Sequence, residues 1–192
     1  GYLVFGKTLE SNRQFGNAMI EFQQFRDTTR ALPIKKMTLT GTLSRQIGAA
    51  ISLLMQHLWV KPVIKNGKRE ERPSCDENII REIVTNALVH RDYTLMHQPV
   101  KIALFQDRVE VENPGGLLPG LTPLNVIHKR SWRNPLLANL IKKTGYGEMD
   151  GQGIDRIYEI SRRIHLPMPI FRDEKTSFIA ILSGPRTYAE LS

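Results

Sequence analysis

Ile79, Ile80, Ile83, Val84, Ala87 and Leu88 recur at helical spacing, which predicts an amphipathic helix with one broad apolar face. Just upstream, Pro73 and then Ser74-x-x-Glu77 have the form of a capping box. In such a box the Ser hydroxyl accepts from a free backbone N–H and the Glu reaches back to the cap, so the helix is expected to start near Cys75. At roughly 100° per residue, Glu82, Asn86 and His90 project as a stripe along the shoulder of the apolar face. A stripe there lies where a core meets a cavity. By itself it is also what a solvated i, i+4 polar pair looks like.

Alternation then replaces helical spacing. Val100, Ile102 and Leu104 alternate with Lys101 and Ala103, Gln106-Asp107 forms a turn, and Val109 and Val111 alternate with Glu110 and Glu112, which predicts an antiparallel hairpin. It runs into Asn113-Pro114-Gly115-Gly116, where proline removes a donor and the glycines allow positive φ and close approach of backbone to a ligand. Alone, this is also a plain turn. Leu117 to Arg133, with Pro119, Gly120, Pro123 and the basic run His128-Lys129-Arg130, has no period and reads as a long functional loop or lid. Asn134 and Pro135 are suited to the N-cap and first position of a helix carrying Leu136, Leu137, Leu140 and Ile141, with Lys142 and Lys143 in its last turn and Gly145 beyond. The loop ending Gly151-Gln152-Gly153 precedes a further helix with Ile154, Ile157, Ile160 and Ile164. Glycines before a helix let its free N–H groups face an anion, although the loop could equally be a connector. Pro167 and Pro169 stop that helix, and Ser177 to Leu182 reads as a final buried strand.

Before all this, Tyr2 to Phe5, Ala18 to Phe25 and Met37 to Leu43 read as strands, the first as one cut from a longer chain. A helix with Leu43, Ile47, Ala50, Ile51, Leu54 and Leu58 on one face follows, then a charged stretch in which Asn66-Gly67 is a good hairpin turn. The simplest arrangement packs these strands beside the main sheet. The expected organisation is a strand-helix extension over 1–60, a charged linker over 61–75, the main domain over 76–184 and a tail over 185–192.

Composition narrows the classes. Apolar residues make up 41% of 192, enough for a real core, and no apolar run reaches the about 18 residues of a bilayer span, so no membrane is expected. The lone Cys75 cannot form an internal disulfide, which points to the cytoplasm; at a helix start its thiol pKa could fall, but a bystander is the simpler reading. Five scattered histidines give no zinc-ligand spacing. The formal charge of +8 is uneven, with 12 Lys or Arg against 5 acids over residues 1–75 and 15 against 14 over the rest. Lys7, Arg13, Arg26, Arg30, Lys35, Lys36, Lys61, Lys65, Lys68 and Arg69 are therefore candidates for a nucleic-acid surface. Solvated lysines explain them nearly as well.

In order down the chain, Glu82 to Ala87, Asn86-Ala-Leu-Val-His90-Arg91-Asp92-Tyr93, Asn113-Pro-Gly-Gly, Arg133-Asn134-Pro135 and Gly151-Gln-Gly153-Ile154 resemble the nucleotide pocket of the gyrase, chaperone, histidine kinase and mismatch-repair ATPase superfamily. More narrowly, they resemble the ATP-binding domain of proteins labelled ATP-dependent DNA helicase-related, RecG-like, or transcriptional regulator. The resemblance covers roughly residues 1 to 183. It implies an α+β, two-layer α/β sandwich of the Bergerat type, with a mixed, mostly antiparallel sheet, following an AlbA-type DNA-binding domain. It also implies ATP and Mg²⁺ as ligands, with Asn86 on the metal and Glu82 as the carboxylate that activates water. His90, Gly115, Gly116, Gly151 and Gly153 would fall around the nucleotide, and Asn113 would take the base. The chain departs from the superfamily in having Asn113 where an Asp is usual and Leu117 in place of a glycine. No Walker P-loop is present. Two functions follow as expectations: an ATP-binding domain, with ATP hydrolysis left open, coupled to an attached DNA-binding domain, or a non-hydrolysing nucleic-acid-binding or oligomerisation module, with a homo-oligomer as a further partner.

Overall fold

The computed structural model describes Leu3 and residues 18–58, 60–65, 68–73, 75–126, 128–129, 131–146 and 153–184. In chain order the elements are β1 (Ile20–Gln24), β2 (Lys35–Leu39), α1 (Leu43–His57), β3 (Val60–Lys65), β4 (Lys68–Pro73), α2 (Glu77–His90), β5 (Val100–Leu104), β6 (Arg108–Pro114), α3 (Pro135–Lys143), α4 (Gly153–Arg163), β7 (Ile170–Asp173) and β8 (Ser177–Ser183). Six strands form one sheet in the order β2-β1-β5-β6-β8-β7. Among the described residues only the β1–β5 pairing of this sheet is parallel; the others are antiparallel.

The alternation of the strands sets which face meets the helices. Ile20 and Phe22, Val100, Ile102 and Leu104, Val109 and Val111, and Ala180 and Leu182 are buried together with Leu43, Ile47 and Leu54 of α1 and Ile79, Ile80, Ile83 and Leu88 of α2. Each fully buried Leu or Ile contributes about 1.5–3 kcal/mol, so this shared layer is the principal source of stability. The architecture is the two-layer sandwich with a mixed, mostly antiparallel sheet that the sequence implies. Strands β1 and β2 complete one side of this sheet.

On the opposite sheet face, Phe25 and Phe105 stack at 4.8 Å, and the Arg108 guanidinium lies 3.8 Å over Phe105. Burial alone would raise the pKa of the Glu110 carboxyl, but hydrogen bonds from Arg30 at 2.5 Å and Arg108 at 2.6 Å hold it below its ordinary value.

Several local expectations change. Helix α2 starts at Glu77, capped by Asp76, whose carboxylate accepts from the Asn78 N–H at 2.8 Å; Ser74 lies outside the described residues. A carboxylate nearer the helix start takes the capping role expected of the serine. Cys75 is buried and its thiol is pushed up to about 12, by burial first and then by Asp76, the reverse of an activated cysteine. The charged stretch over 61–75 contains an antiparallel hairpin, β3 with β4, pairing Lys65 with Lys68 across 66–67, which lie outside the described residues. Of Tyr2 to Phe5 only Leu3 is described, and its backbone is helical. Strand β7 had no signal in the sequence, because four residues between Pro169 and an exposed turn show no alternation to read. Among the described residues no helix is long and apolar enough to cross a membrane.

Candidate functional site

Helix α2 carries Glu82, Asn86 and His90 on one wall of a hollow, as the spacing predicts. The Asn86 amide donates from Nδ2 to Glu82 Oε1 at 2.9 Å, which leaves its oxygen as the atom that can ligate a cation. Glu82 lies against the first residue of α4. A Cβ built on Gly153 would overlap Glu82 Oε1, so this position has room only for glycine while the carboxylate stays there. The positive end of the α4 dipole favours a negative charge at that place.

The facing wall is the end of β6 with its partners. Asn113 is 5% exposed, and its Oδ1 is buried without a hydrogen-bond partner. Gly115, at φ +95°, donates its N–H to the Thr176 carbonyl at 2.8 Å, and a Cβ there would come within 2.7 Å of Asp92 Cβ. A Cβ on Gly116 would run into the backbone carbonyl of Lys175. The glycines are thus required where β6 leaves the sheet between the β7–β8 turn and the end of α2.

The long loop after Gly116 roofs the hollow. Leu117, Leu118, Leu121 and Val126 face inward, and the Leu117 N–H is held by Asp173 Oδ1 at 3.2 Å. At its far end Trp132 stacks on His90, with ring centroids 5.0 Å apart and planes at 18°. Arg133 donates to the Gly116 carbonyl at 2.6 Å and pairs with Asp92 at 3.3 Å, tying the two ends of the loop together. The Thr94 hydroxyl and, more weakly, Arg133 and Arg91 hold the Asp92 carboxyl below its ordinary pKa despite some burial. Burial, then the Arg133 charge, lowers His90 from 6.5 to about 4, so it is neutral at pH 7. Asn134 is the N-cap residue of α3, but its side chain makes no capping bond there. Instead Nδ2 donates to the Val89 and Arg91 carbonyls, both at 2.8 Å, and closes the C-terminal end of α2. The buried carbonyls of α2 compete for this donor and win, because Pro135 already removes one of the N–H groups that would need capping.

Glu82, Asn86, His90, Asn113, Gly115, Gly116 and Gly153 therefore surround one cavity of about 130 Å³ that opens to solvent. That is about ten times what one water needs. Gly151 lies outside the described residues. The sequence reading missed Lys129, Trp132, Phe171 and Phe178 as lining residues. Trp132 had a usable signal, since a lone tryptophan beside a basic run in a loop seldom lacks a packing partner. Phe171 had none, because its strand was not legible. Among the described residues no group of three or more His, Cys, Asp or Glu is placed to hold a metal. A cation here would rely on Asn86 and on oxygens from a ligand.

Residues 97–182 match the family described as "Putative ATP-dependent DNA helicase recG C-terminal". The match takes in Asn113, Gly115, Gly116 and Gly153, stops short of Glu82, Asn86 and His90, and covers less than half of the chain. It supports an ATPase-like, helicase-related domain over that stretch. Among solved structures, the chain is similar to the DIP2311 protein from Corynebacterium diphtheriae, with a TM-score of 0.80 and 22% identity over 91% of this chain. The chain spans 37% of the length of that protein, and the likeness is one of fold. No curated protein matches the chain.

Proposed function

We propose that this chain is a nucleotide-binding domain that takes Mg-ATP in the hollow between α2, β6 and the roofing loop, and that the order of the loop reports the bound state to an attached DNA-binding domain of a helicase-related transcriptional regulator. The observation that carries this reading is the convergence of side chains from four separate stretches of sequence on one cavity whose sheet wall holds an unpartnered buried acceptor, Asn113 Oδ1. Turned toward the hollow, that oxygen fits a donor on a purine base. The α4 start and Gly153 fit phosphates, whose charge suits free N–H groups and the helix dipole. Asn86 would supply one oxygen to Mg²⁺, which when bound neutralises phosphate charge. Glu82, one turn before Asn86, is placed to take the proton of an attacking water, a role worth roughly 10² to 10⁴-fold when geometry is right. Lys129 and Arg133 on the loop add positive charge to the mouth.

Thermal melting with and without Mg-ATP tests the reading. Ligand at 100 times its dissociation constant stabilises by about 2.7 kcal/mol, and Asn86→Ala should abolish that gain while leaving the apo melt in place. Equal stabilisation of parent and variant would reject the assigned pocket. Hydrolysis is tested separately, since Glu82→Gln should keep binding and lose phosphate release. A second reading, a non-hydrolysing nucleic-acid-binding module, draws on the charge excess over residues 1–75, part of which (Lys35 and Lys36) lies on the edge strand β2. It predicts duplex affinity that falls steeply with salt and a flatter slope in Lys35→Glu/Lys36→Glu.

A further inference from the structure

We infer, resting on the nucleotide reading of the same hollow, that Asn113 makes the site permissive for both purine bases, so that GTP is bound about as well as ATP. The strand wall of the hollow is formed by Val111, Asn113, Phe171, Phe178 and Ala180, and among these Asn113 alone carries a polar side chain. In register, Asn113 lies opposite Phe178, which stacks on Phe171 at 5.8 Å and 14°. The amide therefore sits at the edge of a flat aromatic and aliphatic surface, suited to a planar heterocycle.

On that surface the polar edge of the ring has one reader. Asn113 Oδ1 is buried and unpartnered, so turning the amide to bring this oxygen to a ligand donor makes a bond that the free protein leaves unmade. An amide carries both an acceptor and a donor group. Facing a 6-amino purine it accepts from the amino group through Oδ1 and can donate to a ring nitrogen. Turned by half a rotation about its last torsion, it donates to a 6-oxo group and accepts from the adjacent ring N–H. A carboxylate at this position could only accept and would face the 6-oxo oxygen with like charge. The polar groups on the helix and loop walls, Glu82, Asn86, His90, Lys129, Ser131 and Arg133, belong to other elements than the strand surface on which the ring is proposed to lie.

Calorimetric titration of the whole chain with ATP and with GTP, each with excess Mg²⁺, tests this directly. The expected dissociation constants lie within about fivefold of each other. Asn113→Asp should keep ATP affinity and weaken GTP by at least about tenfold, since a site that leaves a buried polar group unpaired or repelled discriminates strongly. A parent that binds ATP more than about tenfold tighter than GTP would overturn this inference and leave the nucleotide reading standing. Binding of neither at millimolar concentration would overturn both. Should Asn113→Asp fail to melt cooperatively, the comparison of the two nucleotides on the parent decides alone.

Discussion

Asn134→Asp separates two roles that the sequence cannot tell apart. As an N-cap, Asp ranks with Asn, and a carboxylate at the start of α3 would gain about 0.3–1 kcal/mol from the helix dipole. A capping role for the side chain therefore predicts equal or higher stability. In the structure, Nδ2 spends both hydrogens on the Val89 and Arg91 carbonyls, and these residues are 3% and 1% exposed. Aspartate has no hydrogen to give, so both bonds are lost and an anion faces two carbonyl oxygens. Two hydrogen bonds at about 0.5–1.5 kcal/mol each, plus buried acceptors left short, amount to about 2–4 kcal/mol. With a urea m-value of about 2 kcal/mol/M, the unfolding midpoint should fall by about 1–2 M. Urea titration followed by circular dichroism reads this, and Asn134→Ala should fall between parent and Asp variant because it loses the bonds without adding repulsion. A midpoint for Asn134→Asp at or above the parent's would refute the assignment of this side chain to α2.

Three further outcomes follow from the geometry. Gly116→Ala should cost distinctly more than Gly120→Ala in the same titration: the added methyl meets the Lys175 backbone in the first case, whereas at Gly120, φ +82°, nothing lies within 4 Å and the cost is the about 1–2 kcal/mol of left-handed backbone. His90, lowered from 6.5 to about 4, contributes stability that is complete above about pH 6.5 and is lost as pH falls toward 4, where the unfolded chain binds a proton and the folded chain does not. The loss is on the order of 3 kcal/mol, and His90→Gln should flatten the fall in urea midpoint between pH 7 and 4.5; parallel curves would contradict the burial of a neutral ring. Cys75, buried with its thiol at about 12, should resist alkylation at pH 8 in the folded protein and react at once in urea; equal rates would show that it is reachable.

Much of this fold was legible because its elements are set by spacing alone. The hairpin of β5 and β6 and the apolar face of α2 need nothing beyond period two and period 3.6, and the α2 stripe of Glu82, Asn86 and His90 does reach a cavity. Choices between competing partners were not legible. Ser74 and Asp76 both carry side chains that can cap a helix, and the sequence does not fix at which of the two α2 opens; the helix starts at Glu77, so Asp76 is its cap. Asn134 has the composition of an N-cap, yet its donor goes to carbonyls 45 and 43 residues earlier in the chain, which only the tertiary fold brings near. The roof of the hollow was readable as a loop but not as a roof, since the Trp132 stack on His90 joins residues from different elements.

The parallel pairing of β1 with β5 has a cost in time. Ile20 meets Val100, so closing that contact joins positions 80 residues apart and costs about 4 kcal/mol of chain entropy before any bond forms. During synthesis at about 5–20 residues per second, β1 leaves the ribosome roughly 4–16 s before β5 exists. For that interval Ile20 and Phe22, fully buried later, have only β2 to pair with. Lys35 and Lys36, opposite Gln24 and Gln23, put positive charge on the waiting ribbon, the kind of placement that discourages two nascent chains from adding to each other's strands.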